Sequence, residues 1–540
     1  MGEWEAGRDE TITGLFAQAA AEMGDKPYLD FKGDLYSYAD IDRLSDALAR
    51  GLATLGVKPG DTVASILDNN VDAVLCWFAV NKLGAISVPV NTAYKGEFLR
   101  HQIADAGANV IVTEHDYADR VLDLADQLPN LSTLLHRGDE LLKSHTSLGI
   151  HLLETMKIDG DDRSMMVQNK PSDLAMLIYT SGTTGPSKGC MISHGYACNL
   201  ARQVLTALGI RSTDVMWSAL PLFHMNATAG TVLSVAIARA RAAFYTRFSL
   251  SNFWYDVERS GATVLSLLGS MHPLIAEAPD NEASQRCFGQ VRVVCAAPFP
   301  KDLQEKWRTR FGTSVMGAPG YGFTEAAMMV YGPLETRLDF NSSGPRAEEF
   351  DVEIVDENDD PLPVGERGEI VCRPKRPNVM FSGYWNRPAE TLKIMNNLWL
   401  HTGDIGMFGE NGEFYFLDRK KDYLRRRGEN ISSFEMEATF QNHPDIMDVA
   451  VHAVFSPMGE DDVKVTAVLR DGSQLTAEDL CTWCLDKVPF FAVPRYIEFR
   501  RDKDMPRNPT GKILKYQLRD DGCTPTTWDR EKEKFEIARR

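Results

Sequence analysis

From residue 35 to about 300, short apolar runs alternate with segments whose apolar residues recur at helical spacing. Asp61-Thr62-Val63-Ala64-Ser65-Ile66-Leu67, Ala85-Ile86-Ser87-Val88-Pro89-Val90 and Ala108-Asn109-Val110-Ile111-Val112-Thr113 read as strands. Between them Ile41, Leu44, Leu48, Leu52 and Leu55 keep one face of a helix, with Ser37 and Asp40 spaced as a capping box. Beyond residue 350 the pattern changes to strands separated by turn residues, Val352-Glu353-Ile354-Val355 and Gly368-Glu369-Ile370-Val371-Cys372 around Glu357-Asn358-Asp359-Asp360-Pro361. A basic run from Arg419 to Gly428, six cations in ten residues, precedes a last α/β segment of small-domain size. The pattern predicts an α/β chain. It has a large N-terminal domain of doubly wound sheets plus a β-rich subdomain, and a small, mobile α+β C-terminal domain. The predicted boundaries are 1–418, a hinge at 419–423, and 424–540.

A length of 540 residues with 44% hydrophobic content supports more than one core. The net charge of -18 repels nucleic acid and anionic membranes, so neither is an expected partner, and any anion site must be assembled locally from cations and backbone donors. Nine scattered cysteines make no disulfide framework, no stretch is long and apolar enough to span a bilayer, and no basic-then-apolar leader opens the chain. These features read as a soluble, cytoplasmic protein. Cys481-Thr-Trp-Cys484 lacks a second pair and follows a capped helix start at Leu475-Thr476-Ala477-Glu478-Asp479, which favours two thiols on one helix face over a zinc or redox site.

Residues 179–189, Tyr-Thr-Ser-Gly-Thr-Thr-Gly-Pro-Ser-Lys-Gly, directly follow the apolar run Leu174-Ala175-Met176-Leu177-Ile178. A strand delivering such a loop offers backbone N–H groups, hydroxyls and an ammonium to a polyphosphate, although Lys188 sits between Ser187 and Gly189 rather than in the usual P-loop order. Four further segments need the same explanation: Gly320-Tyr321-Gly322-Phe323-Thr324-Glu325, His401-Thr402-Gly403-Asp404, Phe416-Leu417-Asp418-Arg419-Lys420-Lys421-Asp422, and Pro509-Thr510-Gly511-Lys512.

In this order the five segments resemble the adenylate-forming superfamily of acyl-CoA synthetases, adenylation domains and firefly luciferase, over essentially the whole chain. The resemblance implies ATP, Mg²⁺ and coenzyme A as cofactor and co-substrates, and a small carboxylic acid as partner. It implies that Thr180, Ser181, Gly182, Thr183, Thr184, Gly185 and Lys188 hold the β- and γ-phosphates. Tyr321 would stack on adenine beside Gly322, with Ala296, Ala297 and Pro298 along the base, and Thr324 would touch the α-phosphate. Glu325 would bind Mg²⁺, whose oxygen preference suits one carboxylate plus phosphates. Asp404 would receive the ribose hydroxyls, with Phe416 and Arg419 in the same nucleotide site. Lys512 would neutralise the approach of carboxylate to α-phosphate, His224 would gate the acyl pocket, and Lys421 would be the pivot of the C-terminal domain. Arg426 and Gly428 fall in the segment that lines the thiol tunnel of acyl-CoA ligases.

The chain departs from the family at Val294-Cys295-Ala296-Ala297-Pro298, where relatives often carry Gly-Gly-Ala-Pro; Cys295 and Ala296 make that pocket tighter. An amino-acid-activating relative would place a carboxylate in Pro221-Leu222-Phe223-His224-Met225-Asn226, and none is there. Luciferase-type oxidation has no feature in its favour. A dead nucleotide-binding scaffold would be expected to lose Glu325, Asp404 or Lys512, all of which are present.

Asn91-Thr92-Ala93-Tyr94-Lys95-Gly96-Glu97 and Leu268-Gly269-Ser270-Met271 resemble the branch of crotonobetaine/carnitine-CoA ligases and bacterial ligases for steroid side-chain carboxylates. The expected pocket wall, Met225, Asn226, Gly230, Leu268, Gly269, Ser270 and Met271, is neutral, which suits a hydrophobic acid of steroid or medium-chain type more than a quaternary ammonium. The oligomeric state is open, a homodimer among the alternatives.

Overall fold

The computed structural model describes residues 10–536 except 144, 146, 181–185, 269–270, 298, 338, 420–423, 427–428, 457–459 and 508–512. It divides into two compact units, one of residues 1–92, 106–178 and 189–420, the other of 93–105, 179–188 and 421–540.

The first unit is built on two seven-stranded sheets. One runs Val315–Gly317, Val293–Cys295, Val264–Ser266, Val215–Ser218, Arg241–Phe244, Pro27–Phe31, Asp34–Ser37, parallel except for the last hairpin. The other runs Gly149–Leu152, Thr133–His136, Val110–Thr113, Thr62–Ile66, Ile86–Pro89, Leu174–Thr180, Lys188–Ser193. Its strands Thr62–Ile66, Ile86–Pro89 and Val110–Thr113 are the expected apolar runs, the first two shorter by one residue at each end and the third by two at its start. Near-continuous burial of these strands follows from helices on both faces of a parallel sheet. Among the helices, Tyr38–Thr54 starts at the expected capping box: Ser37 accepts from Asp40 N–H while the Asp40 carboxylate accepts from Ser37 N–H. Its stripe of Ile41, Leu48 and Leu52 is fully buried.

The β-rich part of this unit is a five-stranded antiparallel sheet of Phe350–Val355, Gly368–Pro374, Trp399–Phe408, Met395–Asn396 and Phe414–Arg419. A separate hairpin pairs Gly320–Phe323 with Ala327–Tyr331.

In the second unit the strands Ile446–Phe455, Asp461–Leu469, Tyr496–Phe499 and Trp528–Asp529 form a mixed sheet. Helices Ser433–Gln441 and Ala477–Cys484 close a core of Met436, Phe440, Val449, Val451, Val463, Val465, Leu480 and Ile497, which also takes in Phe98. Thr476 and Asp479 form the capping box expected before Cys481. Cys481 and Cys484 are free and buried, the Cys484 thiol donating to the Cys481 carbonyl at 3.1 Å, and no group of three metal-ligating side chains occurs among the described residues. No helix among those residues is long and apolar enough to cross a membrane.

Candidate active site

Tyr321 sits on the hairpin strand Gly320–Phe323, whose neighbour Gly322 comes so close to the returning strand that a Cβ there would lie 1.5 Å from the Ala327 carbonyl oxygen. Only glycine fits, which is the physical content of the Tyr-Gly pair. The Tyr321 hydroxyl donates to Asp404 Oδ2 at 2.7 Å. Its ring stacks with Phe416, centroids 5.9 Å apart and planes within 24°, and leans on Phe414 at 4.9 Å. Phe416 is 43% exposed, so an aromatic platform remains open to a flat ligand.

Asp404 lies in the long strand Trp399–Phe408 and is fixed through its backbone: Asp404 N–H donates to Thr402 Oγ1 at 3.0 Å, and that hydroxyl donates to the Ile370 carbonyl at 2.7 Å. Gly403, at φ +71°, directs its N–H to Glu369 Oε1 at 2.8 Å. The backbone of Arg419 stands opposite Asp404 in the ladder. The sequence therefore brings Tyr321, Asp404 and Phe416 together from three separated segments, an acceptor for hydroxyls beside an aromatic face.

Thr324 and Glu325 follow Tyr321 in the tip of the hairpin. Tyr196 reaches this tip, donating to the Thr324 carbonyl at 2.8 Å and accepting from Ala327 N–H at 2.7 Å. Glu325 is 7% exposed; its carbonyl accepts from Phe381 N–H at 3.0 Å and its Oε1 from the Tyr384 hydroxyl at 2.6 Å. Neither Tyr196 nor Tyr384 stands in a segment that the sequence reading singled out. The separations from their acceptors are 128 and 59 residues, and nothing local marks them.

Ala296 is buried just past the strand Val293–Cys295, with its N–H on the Gly317 carbonyl at 3.1 Å, while Ala297 is exposed. His224 caps a short helix, Met225–Ala227, that runs into a π-helical turn, Thr228–Leu233. Its carbonyl accepts from Thr228 N–H at 3.2 Å and from Thr228 Oγ1 at 3.1 Å, and its ring lies 4.7 Å from that of Phe223. A π turn is rare and concentrates at functional sites, a signal that sequence periodicity does not carry. Of the residues expected to wall the acyl pocket, the described ones, Met225, Asn226, Gly230, Leu268 and Met271, carry no charge.

In the second unit, the flanks of the hydroxyl-rich loop are tied down. Tyr179 donates to Asp105 Oδ2 at 2.9 Å, the His101 Nε2 meets the Ser187 carbonyl at 2.8 Å, and Ser187 N–H donates to Glu435 Oε1 at 2.8 Å. Burial pushes the Glu435 carboxyl up, against the pull of the Ser187 N–H. Thr180 and Lys188 are half-buried. Ser181, Gly182, Thr183, Thr184, Gly185, Pro298, Lys421, Gly428, Lys512 and the Arg419 side chain lie outside the described residues.

Arg426, expected in the segment that lines the thiol tunnel, is buried. In the strand Leu424–Arg426 it shares a face with Leu424 and turns inward, 6% exposed, pairing with Asp462 at 3.1 Å and donating to the Val493 carbonyl at 2.9 Å. As placed here it braces the sheet.

Residues 16–385 match the family described as AMP-binding enzyme, and residues 435–512 match the AMP-binding enzyme C-terminal domain. A crotonobetaine/carnitine–CoA ligase of Salmonella arizonae is 31% identical over 492 residues, covering 90% of this chain and 93% of the relative. The o-succinylbenzoate CoA synthetase of Bacillus subtilis superposes with a TM-score of 0.80 at 23% identity, over 95% of this chain and 99% of that one. The amide bond synthetase McbA of Marinactinospora thermotolerans gives 0.79 at 24% identity, over 94% and 99%. The two wound sheets, the β-rich subdomain and the small α+β domain are those of adenylate-forming enzymes. With the family match over most of the chain, and an aromatic ring, a carboxylate and an open aromatic face gathered where the nucleotide motifs lead, the chain belongs to the AMP-binding enzyme family, as an AMP-forming acid–CoA ligase.

Proposed function

We propose that this ligase activates an acid with an apolar or neutral acyl group, of medium-chain or steroid-like type, as its acyl-adenylate and passes the acyl group to CoA. The observation that carries the nucleotide half is the Tyr321 hydroxyl on Asp404 beside the open face of Phe416. Adenine stacks on the aromatic platform of Tyr321 and Phe416, Ala296 and Ala297 border it, and Asp404 accepts from the ribose hydroxyls. Thr180, Lys188 and the loop between them hold the outer phosphates.

A substrate carboxylate oxygen attacks the α-phosphorus, the bond to the bridging oxygen breaks, and pyrophosphate leaves. The CoA thiolate then attacks the acyl carbon, and AMP leaves. Lys512 lowers the repulsion between the two anions in the first step. Glu325 is the one carboxylate at the hairpin tip, a donor set that fits Mg²⁺ held largely by phosphate oxygens. The bound ion would neutralise charge on the phosphates. His224 closes the acyl pocket, and rotation about Lys421 exchanges the two half-reactions, with the domain limits at 1–418 and 424–540. The protein works in the cytoplasm.

The uncharged wall of Met225, Asn226, Gly230, Leu268 and Met271 supports the choice of acid. Similarity to crotonobetaine/carnitine–CoA ligases favours a second reading, a trimethylammonium acid. Pyrophosphate release, measured with fatty, aryl, steroid and carnitine-like acids with and without CoA, separates them. Turnover confined to betaine acids overturns the apolar reading; release independent of every acid overturns the ligase itself.

A further inference from the structure

Residues 381–385 do two things at once in the first unit. They pair with the strand that leaves the hydroxyl-rich loop: Met191 N–H donates to the Gly383 carbonyl at 3.0 Å, Ser382 N–H to Met191 O at 2.9 Å, and Trp385 N–H to Gly189 O at 2.8 Å. They also hold Glu325, through Phe381 N–H on its carbonyl and the Tyr384 hydroxyl on Oε1 at 2.6 Å. The turn depends on Gly383, at φ +111°, where a Cβ would press on Thr391 at 3.2 Å. Tyr384 N–H donates to Thr391 Oγ1 at 2.9 Å, and the Tyr384 ring meets Phe381 edge-on at 5.2 Å. Tyr384 and Glu325 are each 7% exposed, which makes the contact a buried, charge-assisted one rather than a solvated pair.

We propose that Tyr384 is a positioning residue for Glu325: its hydroxyl fixes the carboxylate rotamer and locks it to the strand that carries the exit of the phosphate loop. The inference rests on the reading of Glu325 as the carboxylate that meets the metal. A magnesium ion takes such a carboxylate through one oxygen, and a hydrogen bond on the other sets ligand direction without competing for it. A structural tyrosine would serve equally well with its hydroxyl on any backbone carbonyl. Here the acceptor is the side chain to which the family motif assigns the ion.

Tyr384→Phe removes only the hydroxyl and keeps the ring contact with Phe381. Mn²⁺ binding to the full chain in complex with α,β-methylene-ATP, followed by electron paramagnetic resonance, is the readout, beside nucleotide affinity in EDTA and the thermal midpoint. The expected result is a loss of about tenfold in Mn²⁺ affinity, with metal-free nucleotide affinity within about twofold of the parent. Equal weakening with and without metal, or an unchanged Mn²⁺ affinity, overturns the proposal. Glu325→Gln separates the two levels. If it also leaves Mn²⁺ binding intact, the reading of Glu325 has failed; if it abolishes binding that Tyr384→Phe leaves untouched, only the role of Tyr384 has failed. In the Glu325→Gln background, adding Tyr384→Phe should change Mn²⁺ affinity less than about twofold, because coupled partners are not additive.

Discussion

Removing the Tyr321 hydroxyl and removing its ring should have different costs for nucleotide binding. The hydroxyl makes one bond of 2.7 Å to the Asp404 carboxylate, and Asp404 is half-buried, so water can replace part of what Tyr321→Phe takes away. That places the loss below the range for bonds to charged groups, at about 1 kcal/mol or roughly fivefold in affinity for AMP. Tyr321→Ala also deletes the surface stacked at 5.9 Å on Phe416, and base stacking on an aromatic side chain is worth about 1–3 kcal/mol, so the total reaches roughly 30- to 1,000-fold. Titration calorimetry with AMP at fixed salt measures both. KM for ATP should follow the same order, and KM for the acid should move little. Equal losses for the two variants would refute the ring as a platform, and an unchanged AMP affinity in both would remove Tyr321 from the nucleotide site.

Lys512→Ala should lower acyl-adenylate formation by at least about 100-fold, as for loss of one group aimed at developing charge, while sparing thioester formation from supplied acyl-adenylate; equal loss of both would contradict its assigned role. Lys464, fully buried, pairs with the 3%-exposed Glu498, so Lys464→Met should cost about 3 kcal/mol by leaving a buried carboxylate with Arg500 and hydroxyls alone, read as a lower denaturant midpoint. Burial pushes the imidazoles of His194 and His452 down to about 4, against roughly 6.5 in the unfolded chain. Between those values only the unfolded state takes up the proton, so stability is complete above about pH 6.5, falls as pH drops through the window and levels near 4, by up to roughly 3 kcal/mol per histidine. Denaturation midpoints that stay flat from pH 7 to 4 would refute this.

Much of the fold is legible in the sequence because its signals are local. The Ser37 and Asp40 box, the stripe of Ile41, Leu48 and Leu52, and the strand runs at 62–66, 86–89 and 110–113 each declare themselves within a dozen residues. Arg426 shows what such local signals leave out. Nothing within a run of cations tells which of them turns inward, but a strand alternates its side chains, and Leu424 and Arg426 fall on the side where Asp462 waits. The partner lies 36 residues on in sequence, so the burial of that guanidinium is a tertiary fact.

The same distinction separates the two halves of the catalytic site. Recognition of a nucleotide demands particular backbone: a glycine at 322 where no Cβ fits, a glycine at 403 with positive φ, and fixed side chains one residue away. Those demands leave a motif. Recognition of an acyl group demands only a volume of suitable lining, which in the proposed pocket would be set by the π turn at Thr228–Leu233, where Thr231 Oγ1 donates to the Asn226 carbonyl and Ser234 Oγ to the Gly230 carbonyl. Many sequences could meet those bonds with another wall. Hence substitutions along 225–234 should change which acid is taken while leaving AMP affinity in place, whereas substitutions at 321, 322 or 404 should weaken AMP for every acid alike.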